Sequence, residues 1–223
     1  DVVYTRAGPE IAVASTKGYT TQVAVICALA AHFAQRLGRI SDEALAELAS
    51  RLYYIPDAIQ RAIDMNRALP ALARKYCLGD ALYYIGRNVD YAVSLEAALK
   101  MKEISYNHSE AYAAGELKHG TIALIDEGTP VIALCCREEL MEKMVNAIEE
   151  VKARGAKVLA VAPAGNRRIL SAADDVIFIP RTDPLFDAVA EIVPLQLLAY
   201  YAAREKGCDI DKPKNLAKSV TVE

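Results

Sequence analysis

No apolar run in this 223-residue chain is long enough to span a bilayer. The longest, Val23 to Ala31, is followed by His32, Gln35 and Arg36, whereas a membrane helix needs about 20 apolar residues. The run reads instead as a buried helix, with His32 as a structural residue, and no membrane partner is expected. No charged segment followed by an apolar one opens the sequence, so the secretory pattern is missing and a cytoplasmic protein is expected. An excess of basic charge is missing too. The 26 Lys and Arg against 29 Asp and Glu leave a formal net charge of -3, which implies no nucleic-acid partner. Three histidines without a His-x-x-x-His grouping make a zinc site improbable. Cys27, Cys77, Cys135, Cys136 and Cys208 show neither metal-ligand spacing nor a disulfide framework, and read as reduced, mainly buried small residues. No metal and no cofactor is called for.

With 53% hydrophobic and 25% charged residues, the chain can bury one sizeable core or two small ones. Residues 17–37 read as an apolar helix. Ser41-Asp42-Glu43 reads as the cap and acidic first turn of another helix running towards Asn66, which Pro56 kinks or divides. A short helix at 67–77 leads to a strand at 81–85 closed by Gly86, and a helix at 91–106 follows. Then come strand 130–135, helix 138–153, strand 157–162, a loop at 163–167, strand 175–179 and helix 185–206. Strands separated by helices predict an α/β fold, a parallel sheet flanked by helices on both faces. Asp1 to Thr5 reads as a further strand, and the polar stretch 212–223 as lacking regular structure.

Proton-transfer groups concentrate between Glu96 and Ile125. At about 100° per residue, Glu96, Lys100 and Glu103 fall within roughly 60° of one another on the helix at 91–106. Ion pairing on a surface helix accounts for such spacing at a few tenths of a kcal/mol, roughly 0.2–0.5 per pair. The following Gly115-Glu116-Leu117-Lys118-His119-Gly120 is harder to explain that way. Two glycines bracketing a Lys-His pair predict an irregular turn presenting an imidazole, the group best suited to proton transfer near neutrality. Arg87, just after Gly86 at a strand-to-helix turn, sits where anions bind.

These blocks, together with Gly8-Pro9-Glu10, Val13-Ala14-Ser15-Thr16-Lys17, Ala98-Leu99-Lys100 to Ser105-Tyr106, and Asn215 to Glu223, resemble the isomerase domain of the glucosamine-6-phosphate synthase family. Those enzymes are glutamine:fructose-6-phosphate aminotransferases whose isomerase domain is built from two sugar isomerase (SIS) subdomains. The similarity covers nearly all of the chain, and the C-terminal nonapeptide is its most specific part. By that resemblance, residues 1–66 are the helical trailing part of a truncated first SIS subdomain, 67–206 a flavodoxin-like second SIS subdomain, and 207–223 a tail covering the active site. The missing part would hold the Ser/Thr-rich phosphate-binding turn and, earlier, the glutaminase domain.

The resemblance implies conversion of fructose 6-phosphate to glucosamine 6-phosphate in amino-sugar (UDP-GlcNAc) biosynthesis. Glu103 would carry the C1–C2 proton transfer, and His119 the ring opening. Lys218 would assist at the carbonyl end through its free amine or as a Schiff base, with Lys100 holding Glu103 or protonating an oxygen. Ser15 would contact the sugar through its hydroxyl, Val13 through its backbone, and Ala217 by lying beside Lys218. Capping of the helix at 17–37 explains Ser15 equally well. His108 and Glu110 read as ordering a loop before the Lys-His turn. The family implies a homodimer in which His119 reaches the neighbouring subunit's site. Two other readings stay open: a SIS-type ketosamine-phosphate deglycase, against which the Asn215–Glu223 ending argues, and a non-catalytic sugar-phosphate-binding module, which has no need of Glu103, His119 and Lys218 together.

Overall fold

Short apolar runs alternating with helices build one five-stranded sheet. In the computed structural model, which describes residues 2–219, the helices are α1 (Lys17–Arg36), α2 (Asp42–Tyr53), α3 (Ile55–Met65), α4 (Leu69–Tyr76), α5 (Val89–Ser105), α6 (Met141–Lys152), α7 (Arg167–Ala172) and α8 (Asp187–Glu205). The strands are β1 (Ala81–Gly86), β2 (His108–Ala113), β3 (Pro130–Leu134), β4 (Lys157–Pro163) and β5 (Asp175–Ile179). All pair in parallel, in the order β2-β1-β3-β4-β5.

Helices cover both sheet faces, which is why the central strands are apolar throughout rather than alternating with polar residues. Leu82, Tyr84, Ile132, Leu134, Leu159 and Val161 pack against α4, α5 and α8. Tyr83, Ile85, Val131, Ala133, Val158 and Ala160 pack against α6 and α7. Cys135 and Cys136 face opposite sides, as strand geometry requires, and all five cysteines are free. Buried Ala97 and Ala98 on α5, and Ala199, Ala202 and Ala203 on α8, let these two helices approach closely. A third cluster, Cys27, Ile55, Phe186 and Val189, seats α1 and α3 on the start of α8.

Ser41 caps α2 by accepting from the Ala44 N–H at 3.2 Å, and Pro56 opens α3 where the chain divides after Tyr54. Other expectations are corrected. The run Val23–Ala31 is not a buried helix: in α1 only Cys27 and Ala31 are buried, Ile26 is 63% exposed, and His32 is exposed beside Phe33. Residues 2–5 form no strand, because no neighbouring strand pairs with them. The region of His108 and Glu110 is no loop. It is β2, whose sequence HSEAYA lacks apolar alternation and becomes a strand by pairing along all of β1. The loop expected at 163–167 is present at 164–166, but the helix α7 that follows it, capped by Asn166 Oδ1 accepting from the Ile169 N–H, is not among the expected elements.

Gly86 is where β1 turns into α5. A methyl group there would lie 2.6 Å from the Asp90 backbone carbon, so only glycine lets helix and strand meet. Gly86→Ala is expected to cost about 1–3 kcal/mol, read from the denaturant midpoint; an unchanged midpoint would show that the turn relaxes freely.

Candidate active site

The helical repeat on α5 brings its charged residues together under cover rather than in solvent. Lys100 is almost fully buried, its Nζ 2.5 Å from Glu103 Oε2 and 3.5 Å from Glu96 Oε1. Burial raises the Glu96 carboxyl above its ordinary value, and the Lys100 ammonium opposes that rise. Taking a lysine and two carboxylates out of water costs several kcal/mol, roughly cancelling their attraction, so stability alone does not account for the row. Surface pairing is therefore excluded as its explanation.

Across from this row lies the bend before α1. Its N-terminus is not capped by Ser15 or Thr16, as the residue types led one to expect. Glu10 does it: Oε1 accepts from the Thr16 N–H at 2.8 Å, the Lys17 N–H at 3.0 Å and the Thr16 hydroxyl at 3.3 Å. Ser15 does not cap the helix, and its Oγ lies 3.2 Å from Lys218 Nζ, which also donates to the Ala12 carbonyl at 2.9 Å. Ala12, Ala14, Thr16, Lys100, Ile104 and Gln196 line one cavity of about 210 Å³. So the bend holding Lys218 shares a wall with the lysine that holds Glu103.

The tail is fastened rather than frayed. The Val13 N–H donates to the Asp211 carbonyl at 2.9 Å, leaving only the Val13 carbonyl for a ligand. The Lys214 N–H donates to the Tyr106 hydroxyl at 2.7 Å, and Lys214 Nζ stands 4.4 Å from the centre of that ring. Tyr106 ends α5 in the left-handed region, φ 59°, three residues beyond Glu103. Ala217 is exposed next to Lys218, and the last four residues of the Asn215–Glu223 ending lie outside those described. Neither Glu10 nor Tyr106 carries a periodic signal: six residues separate Glu10 from Thr16, and 108 separate Tyr106 from Lys214.

His119 is placed elsewhere. α5 starts at the C-terminal edge of the sheet and ends, with Glu103, where β2 begins, whereas His119 follows the far end of β2 in a 3-10 turn, Leu117–His119. Six strand residues separate those edges by roughly 20 Å. The imidazole is exposed and far from its own Glu103. Arg87, next to Gly86, packs its guanidinium against Gly115, where a methyl group would stand 3.0 Å from Nη1.

A second polar group pins α5, β3 and α8 together beneath the sheet's C-terminal edge. Asp90 accepts from the Cys136 N–H at 2.8 Å and from Arg137 Nε at 3.2 Å, and Arg137 Nη1 is 3.4 Å from Asp187. Burial pushes Asp90 up to about 6 against the pull of these donors. Glu191 is fully buried with both oxygens unpartnered; burial first, then the charge of Asp90, drive its carboxyl well above the ordinary range. Among the described residues, Asp90, Cys136 and Glu191 bring donor atoms within 4.8 Å of one another. They suit a metal poorly, because each Asp90 oxygen already holds a donor, the Cys136 N–H on one and Arg137 Nε on the other, and burial keeps the Cys136 thiol protonated.

The native Glu191 holds a proton that the unfolded chain gives up near pH 4.5, so its contribution destabilises the fold increasingly as pH rises above that value, until the native group itself ionises. Glu191→Gln is therefore expected to raise the denaturant midpoint at pH 7 to 8, with little effect at pH 4. A lower midpoint at pH 8 would mean that the ionised group has an unseen partner.

The match to the SIS domain model runs over residues 79–205, more than half of the chain. The chain belongs to the SIS domain family. Its curated relatives include the glutamine--fructose-6-phosphate aminotransferases [isomerizing] of Clostridium tetani, 51% identical, and Caldanaerobacter subterraneus, 53% identical, each over 223 residues. This SIS chain spans 37% of the length of both. Among solved structures, the C-terminal domain of glucosamine-fructose-6-phosphate aminotransferase from Francisella tularensis superposes with a TM-score of 0.87 at 32% identity, covering 93% of this chain and 59% of that one. The SIS match takes in β1 to α8, with Glu96, Lys100, Glu103 and His119. Glu10, Val13, Ser15 and Lys218 stand outside it, on segments packed against the SIS unit.

Proposed function

We propose that the chain is the sugar-phosphate-isomerising portion of a glutamine:fructose-6-phosphate aminotransferase and works on fructose 6-phosphate as part of a longer polypeptide. The observation that carries this reading is the shared cavity wall. Lys100, bonded to Glu103, faces the same 210 Å³ space as the Ala12–Thr16 bend that holds Lys218. A carboxylate, a cation that orients it and a second amine arriving on a tail make a constellation for moving a proton beside a carbonyl. The names of the curated relatives, at about half identity over the whole chain, support the same substrate.

In this reading residues 1–66 trail from a first SIS subdomain, 67–206 form the second, and 207–223 cover the site. Glu103 removes a proton from C1 of the open ketose or its imine. The electron pair of that C–H bond forms the C1–C2 double bond as the C2=O or C2=N π pair moves to its heteroatom, which takes up a proton, giving an enediol or enolamine. In the second half the C1 hydroxyl gives up its proton to become the new carbonyl, and the C1–C2 π pair takes the proton from Glu103 at C2. Lys100 fixes which carboxylate oxygen is hydrogen-bonded and which is free to act as the base. Lys218 stands at the carbonyl end, with the Ser15 hydroxyl and the Val13 carbonyl as sugar contacts. Ring opening falls to an imidazole from a second subunit, since each chain's His119 lies at the opposite edge of its sheet from Glu103. The setting is a cytoplasmic homodimer with a glutaminase domain on the same polypeptide.

The test is conversion of fructose 6-phosphate to glucose 6-phosphate without glutamine. Turnover is expected from the N-terminally extended polypeptide and not from residues 1–223 alone. An extended polypeptide that binds the sugar phosphate but leaves it unchanged would replace the enzyme by a binding module.

A further inference from the structure

Glu10 does two things at once. Through Oε1 it closes the N-terminus of α1, and its Oε2 lies 3.7 Å from Lys218 Nζ. The carboxylate is only 13% exposed and so is held in place, while the Lys218 side chain is 46% exposed, so the carboxylate orients the ammonium from its sheltered side. The capping oxygen and the charge-facing oxygen belong to one rigid group, and that group also fixes the bend carrying Ser15, the other side-chain partner of Lys218. A methyl group at Gly18 would come within 3.0 Å of Oε2, so α1 itself is shaped to admit the carboxylate.

We propose that Glu10 is a positioning residue for Lys218: its second oxygen anchors the tail's amine beside Ser15 and the Ala12 carbonyl. This role rests on the isomerase reading above. It differs from plain helix capping in requiring the negative charge, since capping needs only an acceptor oxygen.

Glu10→Gln separates the two roles, because the amide keeps an acceptor for the Thr16 and Lys17 N–H groups while removing the charge. In the full-length polypeptide this variant is expected to stay folded with a modestly lower unfolding midpoint at neutral pH, to keep its KM for fructose 6-phosphate, and to lose about 10- to 100-fold in kcat, the cost of a misplaced group. A second readout needs no catalysis: acetylation of Lys218 by acetic anhydride, followed by mass spectrometry, should speed up severalfold in Glu10→Gln, while acetylation of Lys214 stays unchanged. Unchanged Lys218 labelling overturns the proposal whatever kcat does, and faster labelling with wild-type kcat overturns it as well. Absence of turnover in the wild-type polypeptide would count against the isomerase reading, while the labelling would still decide whether Glu10 anchors Lys218.

Discussion

Glu103→Gln in the extended polypeptide is expected to lower conversion of fructose 6-phosphate by about 10²- to 10⁴-fold, the usual contribution of a positioned general base. The substitution is nearly isosteric. Lys100 can still donate to the side-chain oxygen that replaces Oε2, so the buried row keeps its shape while losing the group that accepts a proton. The loss should therefore fall on kcat, with sugar-phosphate affinity changed little, which also separates an enzyme from a binding module. Because Glu103 is partly exposed whereas Lys100 is buried, removing its charge should disturb stability less than Lys100→Met, which would strand Glu96 and Glu103 together without a cation. Retained turnover in Glu103→Gln would move the proton transfer to another group and leave the α5 row a structural device.

The second large effect is complementation between two inactive subunits. In the proposed homodimer His119→Asn should inactivate, since the imidazole assigned to ring opening is lost, yet co-assembly of His119→Asn subunits with Glu103→Gln subunits should restore about a quarter of wild-type turnover. The fraction follows from two-fold symmetry: half of randomly paired dimers are mixed, and each mixed dimer has one site with both residues intact. The prediction joins the proposed homodimer to the topology of each chain. α5 runs antiparallel to β2, so Glu103 sits at the edge where β2 begins and His119 beyond the edge where it ends. No side-chain rotation closes a gap of roughly 20 Å. If instead His119 served its own Glu103, mixing would yield nothing above the two variants alone.

Much of the architecture was legible because its signals are local. Strands β3, β4 and β5 announce themselves as apolar runs between turn residues. α2 begins at a Ser-Asp-Glu cap, and the i, i+4 and i, i+3 spacing of Glu96, Lys100 and Glu103 dictates that they share a helix face. Strand β2 was illegible for the converse reason. His108-Ser109-Glu110 has no apolar alternation, and extends only because β1 offers it a ladder of backbone groups. The helix cap at Thr16 shows the same limit: residue type favours Ser15, but the bend swings Glu10 in from six residues away, and its carboxylate outcompetes the hydroxyl. Burial raises the Glu10 carboxyl, yet the Thr16 N–H, the Ser15 hydroxyl and the Lys218 ammonium outweigh it and hold the group below its ordinary value.

The amino-acid sequence by itself determined the α/β class, the charged face of α5 and the blocks of residues that resemble a sugar isomerase, since each of these depends on neighbours within a turn or a strand. Only the tertiary structure decided three other matters. Lys100 is buried rather than solvated, because α8 and the Ala12–Thr16 bend close over it. Lys218 reaches Ser15 and Glu10 from about 200 residues away, because the tail is tied down at Val13 and Tyr106. And His119 lies at the opposite sheet edge from Glu103, because a parallel strand must carry the chain there before the Lys-His turn can form.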